Sequence, residues 1–268
     1  MLLLHAKKFS ITFLVKDICP RNAKISIREI LSMGELKSYI NKNLGSSKIR
    51  VTRAINLFDN EILKGIYNAT RLFRSIGIIN VDSYFVTPFG VLWEEDLVIP
   101  YKECLDKLPW DIVSELVGKN KDKIYEIIEE EPDFLLIYLD HRLIKQMDLL
   151  SYISKNTLTI ILSDVYLTSK KDNISVITIS KRNISKFKKL GIKISQSNFV
   201  GAYFELIAQI FLQLYQEMGK DKFILFIDNQ RVKPREFLSL FIEPDLIAKL
   251  RNVQNESLSS IFGNTVSS

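Results

Sequence analysis

The sequence predicts an α/β protein with a mainly parallel sheet and flanking helices, a small N-terminal α+β appendage and a C-terminal helical region. From residue 48 onward, short apolar segments alternate with segments of helical periodicity, which is typical of parallel strands joined by crossover helices. Residues 134–139 are apolar without interruption, as expected for a strand with both faces covered. These two observations predict the fold class.

The predicted N-terminal appendage comprises residues 1–47. Residues 2–17 alternate loosely between apolar and polar side chains, which indicates one or two strands, and residues 26–44 have mostly helical spacing. Gly45 and the two serines after it indicate a turn. We therefore place the boundary with an α/β core, residues 48–198, at this turn.

Within the core, the alternation predicts strands and helices in turn. The strands are predicted at residues 48–55, 78–86, 134–139, 158–162 and 174–179, and the helices at 60–76, 110–116, 121–130 and 141–153. A C-terminal helical region, residues 199–252, is expected to pack on this core, with helices at 199–218 and 234–250 and a strand candidate at 223–227. Residues 253–268 are polar and predict a flexible tail.

The composition argues against several classes of protein. Hydrophobic residues make up 47% of the 268-residue chain, which is enough to build a buried core. The N-terminal apolar run is too short for a signal peptide and no stretch is apolar enough for a membrane span, so we expect a soluble, cytoplasmic protein. Two cysteines, Cys19 and Cys104, predict neither a zinc site nor a disulfide scaffold. Glycine-rich nucleotide-binding motifs and the serine-hydrolase motif are missing, and we expect neither a metal nor a cofactor.

The positive charge is concentrated in one segment, residues 170–193, which we call the basic segment. Its basic residues are Lys170, Lys171, Lys181, Arg182, Lys186, Lys188, Lys189 and Lys193. With a single acid, Asp172, the segment has a net charge of +7, whereas the whole chain has +6. Such a segment is typical of a surface that contacts the phosphates of a nucleic acid. The alternative is a solvated, lysine-rich face without a ligand.

A second candidate region is the strand and turn at residues 84–92, Tyr-Phe-Val-Thr-Pro-Phe-Gly-Val-Leu. The turn consists of Thr87, Pro88, Phe89 and Gly90. Proline fixes one backbone angle, and glycine permits conformations and close approaches that other residues forbid. Because open α/β sheets bind ligands at the carboxyl ends of their strands, we predict that the turn lines a cleft. An ordinary strand–loop connection is the alternative.

Residues 60–139 contain, in order, a helix ending at Gly77, the segment of residues 84–92, an acidic turn, the dipeptide Pro100-Tyr101 and an apolar strand. This order resembles the YaaA-like superfamily and, within it, the core domain of the archaeosine synthases. The resemblance covers about a third of the chain. It implies an association with tRNA or DNA base modification, or with nucleic-acid-associated stress responses. Residues 51–58 lack the Cys and Lys that these synthase domains carry, so the resemblance puts binding before catalysis.

If the protein is an enzyme, the candidate catalytic residues are Thr87, Tyr101, Asp140 and His141. Asp140 and His141 follow the predicted central strand, and a histidine there is suited to proton transfer. Asp140 is also suited to capping a helix, and we favour that interpretation. Ser163 and Asp164 occupy the same position after the next strand.

The tail contains a degenerate form of the sliding-clamp-binding motif of replication and repair proteins. Asn255 replaces the usual Gln, and the apolar anchors are Leu258, Ile261 and Phe262. Spaced apolar side chains on a flexible tail are suited to docking in a groove.

Three functions follow from these observations. The first is a nucleic-acid-binding protein of YaaA-like fold, accessory to DNA or RNA processing or repair, without a membrane partner. The second is a tRNA or DNA base-modification enzyme. The third is a protein-interaction module recruited by a sliding clamp.

Overall fold

The computed structural model describes residues 9–17, 52–56, 61–88, 90–98, 101, 104–118, 121–189, 191–230, 233–243 and 247. The strands are β1 (Phe9–Lys16), β2 (Thr52–Arg53), β3 (Ile79–Thr87), β4 (Gly90–Trp93), β5 (Leu97–Val98), β6 (Phe134–Tyr138), β7 (Leu158–Ser163) and β8 (Ile174–Thr178). The helices are α1 (Glu61–Ser75), α2 (Trp110–Gly118), α3 (Lys121–Glu129), α4 (His141–Gln146), α5 (Leu149–Tyr152), α6 (Lys181–Lys188), α7 (Phe199–Met218), α8 (Lys220–Gln230) and α9 (Pro234–Ile242). Two short 3-10 helices are η1 (Ala54–Asn56) and η2 (Leu105–Lys107).

Six strands form one sheet in the order β4-β3-β1-β6-β7-β8, and β2 pairs with β5 in a separate antiparallel ribbon. All neighbours in the large sheet are parallel except β3 and β4. The predicted α/β class with a mainly parallel sheet and flanking helices is confirmed. The chain leaves β1 first toward β3 and later toward β6, so the strand order reverses between β1 and β6. This reversal makes the carboxyl ends of β1 and β6 the topological switch point of a doubly wound sheet.

Strand β1 lies at the centre of the sheet, which corrects the predicted boundary of the N-terminal appendage. Its residues pair with β3 on one side and β6 on the other, with Leu14 beside Tyr84 and Ile137. The strand is buried on both faces, because Phe13 contributes to one apolar cluster and Leu14 to the other. The loose alternation predicted one or two strands in an appendage, whereas burial of both faces reflects a central position in the sheet. The remainder of the predicted appendage lies outside the described residues.

Helices α1 and α7 pack on one face of the sheet and approach each other unusually closely. Gly65 of α1 faces Gly201 of α7, and a Cβ atom added to Gly65 would lie 2.2 Å from the backbone of Gly201. A Cβ atom on Gly201 would lie equally close to the carbonyl oxygen of Ile62, at 2.2 Å. Two glycines are therefore required where these helices cross. Helix α7 supplies much of one apolar cluster.

Several predicted elements differ from the observed ones. The strand predicted at 48–55 is observed at Thr52–Arg53 and is followed by η1, and the helix predicted at 234–250 ends at Ile242. Residues 223–227, a strand candidate, lie within helix α8, because a short apolar run does not distinguish a strand from a buried helical face. The helix predicted at 141–153 is divided into α4 and α5 by Asp148, whose backbone φ is 46°. The tail at residues 253–268 lies outside the described residues. Within the described parts of the chain, every helix is too short or too polar to cross a membrane.

Candidate functional site

The polar side chains at the carboxyl edge of the sheet meet around the topological switch point. We call this group the switch-point cluster; it comprises Lys16, Asp17, Tyr101, Asp106, Tyr138, Asp140 and Asp164. Strand β1 ends in Lys16, β6 ends in Tyr138 just before Asp140, and Asp164 follows β7 directly. Asp17 directly follows Lys16, Tyr101 precedes η2 in the chain, and Asp106 lies within η2.

Lys16 is a buried cation in this cluster, with only 5% of its side chain exposed. Its ammonium group lies 3.0 Å and 2.9 Å from the two carboxylate oxygens of Asp106 and 3.4 Å from Asp164. It also lies 4.7 Å from the centre of the Tyr138 ring. Burial alone would lower the pKa of Lys16, but Tyr138, Asp106 and Asp164 outweigh it and raise that pKa. The amine is therefore held protonated, which suits an electrostatic anchor and not a nucleophile.

Asp17 is the most deeply buried acid of the cluster, with 1% of its surface exposed. Its carboxylate accepts hydrogen bonds from the Tyr101 hydroxyl at 2.7 Å and from the Leu105 backbone N–H at 2.9 Å. Burial raises the pKa of Asp17 to about 7, although these two hydrogen bonds act in the opposite direction. Burial and the neighbouring Asp17 carboxylate also raise the pKa of Tyr101 well above its usual range. Asp17 is thus a carboxyl group able to take up and release a proton near neutral pH.

Two predicted catalytic residues, Thr87 and Tyr101, are brought together with Asp17. The Thr87 side chain interacts with the Tyr101 hydroxyl, which donates to Asp17. Tyr101 is fully buried and Thr87 is 2% exposed, so neither side chain is placed to contact a ligand directly. In this arrangement Tyr101 positions the carboxylate of Asp17.

The other two predicted catalytic residues, Asp140 and His141, begin helix α4. Asp140 caps the helix by accepting from the Arg142 backbone N–H at 2.8 Å, and its carboxylate also pairs with the Arg142 guanidinium through two hydrogen bonds, of 3.0 Å and 2.7 Å. Burial alone would raise the pKa of Asp140, but the Arg142 hydrogen bonds and charge lower it. The guanidinium also lies over Trp110, 4.6 Å from the ring. Nδ1 of His141 lies 3.6 Å from the Asp140 carboxylate. Because Asp140 accepts from the Arg142 N–H, the capping interpretation is the one that describes it.

The predicted cleft residues form a β-hairpin turn between β3 and β4. Thr87 pairs with Gly90, and the Thr87 hydroxyl donates to the Gly90 carbonyl oxygen at 2.8 Å. Gly90 has a φ of 122°, which requires glycine. Pro88 is buried, and Phe89 lies outside the described residues. The local structure is a strand connection, and it borders the cluster because Asp17 donates its N–H to Val86 at 2.8 Å.

Sequence reasoning missed Lys16, Asp17 and Asp106. A detectable signal existed for the first two, because a Lys-Asp pair directly follows an apolar strand, as Asp140 and Asp164 follow theirs. Asp106 lies in a 3-10 turn without a pattern of its own. Among the described residues, no group of three or more His, Cys, Asp or Glu side chains is arranged to hold a metal ion.

Cys104 is disulfide-bonded, and the described residues contain no free cysteine, which contradicts the expectation that the cysteines form no disulfide scaffold. Cys104 directly precedes Leu105, whose N–H binds the carboxylate of Asp17 at 2.9 Å. This hydrogen bond holds Cys104 close to the carboxyl end of β1. The other cysteine of the chain, Cys19, lies outside the described residues.

The basic segment forms an exposed surface along helix α6 and the loops beside it. The side chains exposed to solvent are Lys170, Lys181, Arg182, Lys186, Lys188, Lys189 and Lys193. Within the described part of the chain, none of these seven takes part in an ion pair. Lys171 differs, since its ammonium donates to the carbonyl oxygens of Ser151 and Ile153 at 2.8 Å and 2.7 Å. Its charge therefore serves to anchor a loop.

The basic segment and the Thr87–Gly90 turn belong to opposite edges of the sheet. The turn joins β3 to the edge strand β4, whereas the basic segment surrounds the other edge strand, β8. Five strand spacings separate these edges, or roughly 24 Å. The two features predicted from the sequence therefore do not form one compact site. The switch-point cluster lies between them.

Comparison with family models, curated proteins and solved structures finds no match for this chain. The resemblance to the YaaA-like superfamily therefore stays a prediction, carried by the sequence pattern alone.

Proposed function

We propose that the protein binds nucleic acid through the exposed surface of the basic segment. The observation that carries the proposal is the density of unpaired cations on α6 and the residue after it. Five of nine consecutive residues are basic: Lys181, Arg182, Lys186, Lys188 and Lys189. Ile184 and Phe187 face the core, so the charged side chains occupy the solvent face. Without acidic partners, these cations are free to exchange their counterions for phosphates.

The spacing of the cations suits a phosphate backbone. Arg182, Lys186 and Lys189 are separated by four and then three residues, which places them in one row along the helix. The row is about 10 Å long at the rise of an α-helix. A row of this length spans about three successive phosphates along one strand of B-DNA. The three side chains can therefore reach neighbouring phosphates without a change in the backbone of α6.

The salt dependence of binding tests this proposal. We expect the affinity of the protein for an oligonucleotide to fall steeply between 50 and 200 mM salt. For six phosphate contacts the fall is about 10³-fold or more. Replacing Arg182, Lys186 and Lys189 by alanine should reduce the slope of log K against log salt by roughly 2 to 3. Fluorescence anisotropy with a labelled oligonucleotide measures both quantities.

A matched control separates a local effect from a general loss of charge. Lys64, Lys123 and Lys233 are exposed lysines on other helices or their caps, each in an ion pair with a nearby glutamate. Their triple alanine variant changes the net charge equally and should keep the wild-type slope. Salt-independent binding, absence of binding, or equal losses in the two triple variants would contradict the proposal.

A second candidate function is a base-modification enzyme, favoured by the position of the switch-point cluster. The carboxyl edge at the strand reversal is where doubly wound sheets bind ligands. There, the carboxylates of Asp106 and Asp164 are each about half exposed and accessible to a ligand, and buried Lys16 pairs with both of them. Mass spectrometry of tRNA and DNA nucleosides from a deletion strain should show a missing modification that wild type restores and Lys16→Met does not. An unchanged nucleoside profile would exclude this function for the nucleic acids examined.

The third candidate, recruitment by a sliding clamp, depends on Leu258, Ile261 and Phe262, which lie outside the described residues. It stays a prediction from the sequence. In a pull-down, the full chain should recover the sliding clamp, and a variant with Leu258, Ile261 and Phe262 replaced by alanine should not.

A further inference from the structure

An exposed tyrosine lies beside the basic segment, in the loop between β7 and β8. Tyr166 has 79% of its surface exposed, more than any other exposed large hydrophobic side chain in the described residues. A single exposed aromatic side chain is ordinary on a protein surface. The position of Tyr166 relative to the unpaired cations is what gives it significance.

The sheet brings Tyr166 and the start of α6 to the same edge. Ser163 at the end of β7 pairs with Thr178 at the end of β8, and Ile179 donates its N–H to the Ser163 carbonyl at 2.8 Å. Tyr166 comes three residues after Ser163, and Lys181 comes three residues after Thr178. Since neighbouring strands lie about 4.8 Å apart, both side chains leave from closely spaced points on the carboxyl edge.

The loop that carries Tyr166 is held on both sides of the residue. On one side, the Val165 backbone N–H donates to the Ser163 hydroxyl at 3.2 Å. On the other side, Leu167 is 8% exposed and belongs to one of the two apolar clusters. Tyr166 therefore projects from a backbone anchored at both neighbours, so little ordering of the loop is needed when the ring receives a ligand.

The acidic residue between the two features does not create an unpaired negative charge. Asp164 is the only acid in the loop before Tyr166, and its carboxylate lies 3.4 Å from the ammonium of Lys16. Because Asp106 shares this ammonium, the charge of Asp164 is offset in part where a phosphate backbone approaches Lys181 and Arg182.

We propose that Tyr166 is a stacking platform for an unpaired base, and that the ligand of the basic segment is single-stranded nucleic acid. This inference rests on the proposed nucleic-acid-binding function and specifies its substrate class. A single strand can bind both parts of this surface. Its phosphates pair with the cations of α6, and its unpaired bases can stack on the Tyr166 ring. A duplex keeps its bases paired and stacked, so Tyr166 contributes nothing to duplex binding.

The test compares single-stranded and duplex ligands on the full chain. Fluorescence anisotropy is measured with a labelled 12-nucleotide oligo-dT, with oligo-U of the same length and with a 12-base-pair DNA duplex. Tyr166→Ala should weaken single-strand binding by about 5- to 150-fold and leave duplex binding within twofold. Tyr166→Phe, which keeps the ring, should bind as wild type does. Tyr67→Ala is the control, since Tyr67 is also exposed, at 43%, but lies on α1.

A spectroscopic readout reports stacking directly. An oligonucleotide with 2-aminopurine should be quenched on binding to wild type and to Tyr166→Phe, and much less on binding to Tyr166→Ala. Folding is not at issue, because the ring is exposed and Tyr166→Phe retains its volume.

The outcomes separate the stacking role of Tyr166 from nucleic-acid binding by the basic segment. Equal losses with Tyr166→Ala and Tyr67→Ala, or equal losses for duplex and single strand, would overturn the stacking role and leave nucleic-acid binding intact. If wild type binds none of the three nucleic acids, the proposed function itself fails, and binding to anionic lipid vesicles instead would assign the surface to a membrane. A difference between oligo-dT and oligo-U identifies DNA or RNA as the preferred strand.

Discussion

Replacing Asp17 with asparagine should remove a large pH dependence from the stability of the protein. The pKa of Asp17 rises from 3.8 to about 7 in the folded state, chiefly because the carboxyl group is buried. Between these two values the folded protein keeps a proton that the unfolded chain has released. The free energy of unfolding therefore falls as the pH rises, by roughly 4 kcal/mol over the full interval.

The structure specifies which neighbours set this value. The Leu105 N–H and the Tyr101 hydroxyl stabilise the ionised carboxylate, Asp106 disfavours it and the Lys16 ammonium favours it. Burial outweighs their sum. Below about pH 4 the carboxyl group is protonated in both states, and above about pH 7 it is ionised in both, so the stability difference is constant outside this interval.

Urea unfolding followed by the fluorescence of Trp93 and Trp110 measures the effect at pH 4.5, 6 and 8. The stability of Asp17→Asn relative to wild type should increase by about 3 kcal/mol between pH 4.5 and pH 8, whatever the offset at the lowest pH. Taking the difference between the two proteins cancels the titration of the other carboxylates. A difference that stays constant within about 1 kcal/mol across this range would refute the reasoning.

Three further predictions concern other contacts. Tyr101→Phe removes the hydroxyl that stabilises ionised Asp17, so the carboxyl titration of Asp17, followed by ¹³C NMR, should move above pH 7; an unchanged midpoint would contradict the assigned hydrogen bond. Gly201→Ala should lower the free energy of unfolding by about 1–3 kcal/mol or more through the clash with α1, whereas Gly118→Ala, with open space around its Cα, should be neutral in the same urea titration. Lys16→Met should lower the free energy of unfolding by about 1 kcal/mol at most, because the carboxylates of Asp106 and Asp164 are each about half exposed and regain water. Removing the carboxylates of both Asp106 and Asp164 leaves the Lys16 ammonium buried without an ion-pair partner. The free energy of unfolding of that double variant should therefore fall by about 3 kcal/mol. Equal losses in the double variant and in Lys16→Met would show that burial of the charge does not decide the outcome.

The fold class was predictable from the sequence because strand and helix periodicities alternate over a long region. The position of β1 was not, since the pattern of residues 2–17 describes one strand and carries no information about its partners. The error at residues 223–227 has a local cause, because five residues are too few to separate the two periodicities. Helices α1 and α7 were predicted within one residue of their observed ends, as expected for long amphipathic segments.

The candidate site was only partly predictable. Residues that follow predicted strands, such as Asp140 and Asp164, are found at the carboxyl edge as the sequence indicated. Asp17 escaped notice because β1 was assigned to an appendage, which separated it from the edge of the sheet. The exposure of the basic segment followed from its composition, but its distance from Gly90 depends on the order of the strands.

The central position of β1 has a consequence for the way the chain folds during synthesis. The ribosome makes β1 before both of its neighbours, and β6 follows more than a hundred residues later. At a translation rate of about 10 residues per second, β1 waits roughly 10 seconds for its second partner. Throughout that time a strand that is apolar on both faces has at least one unpaired edge, which is a template for pairing with another chain. We therefore expect the unpaired edge of β1 to need shielding until the middle of the chain has emerged.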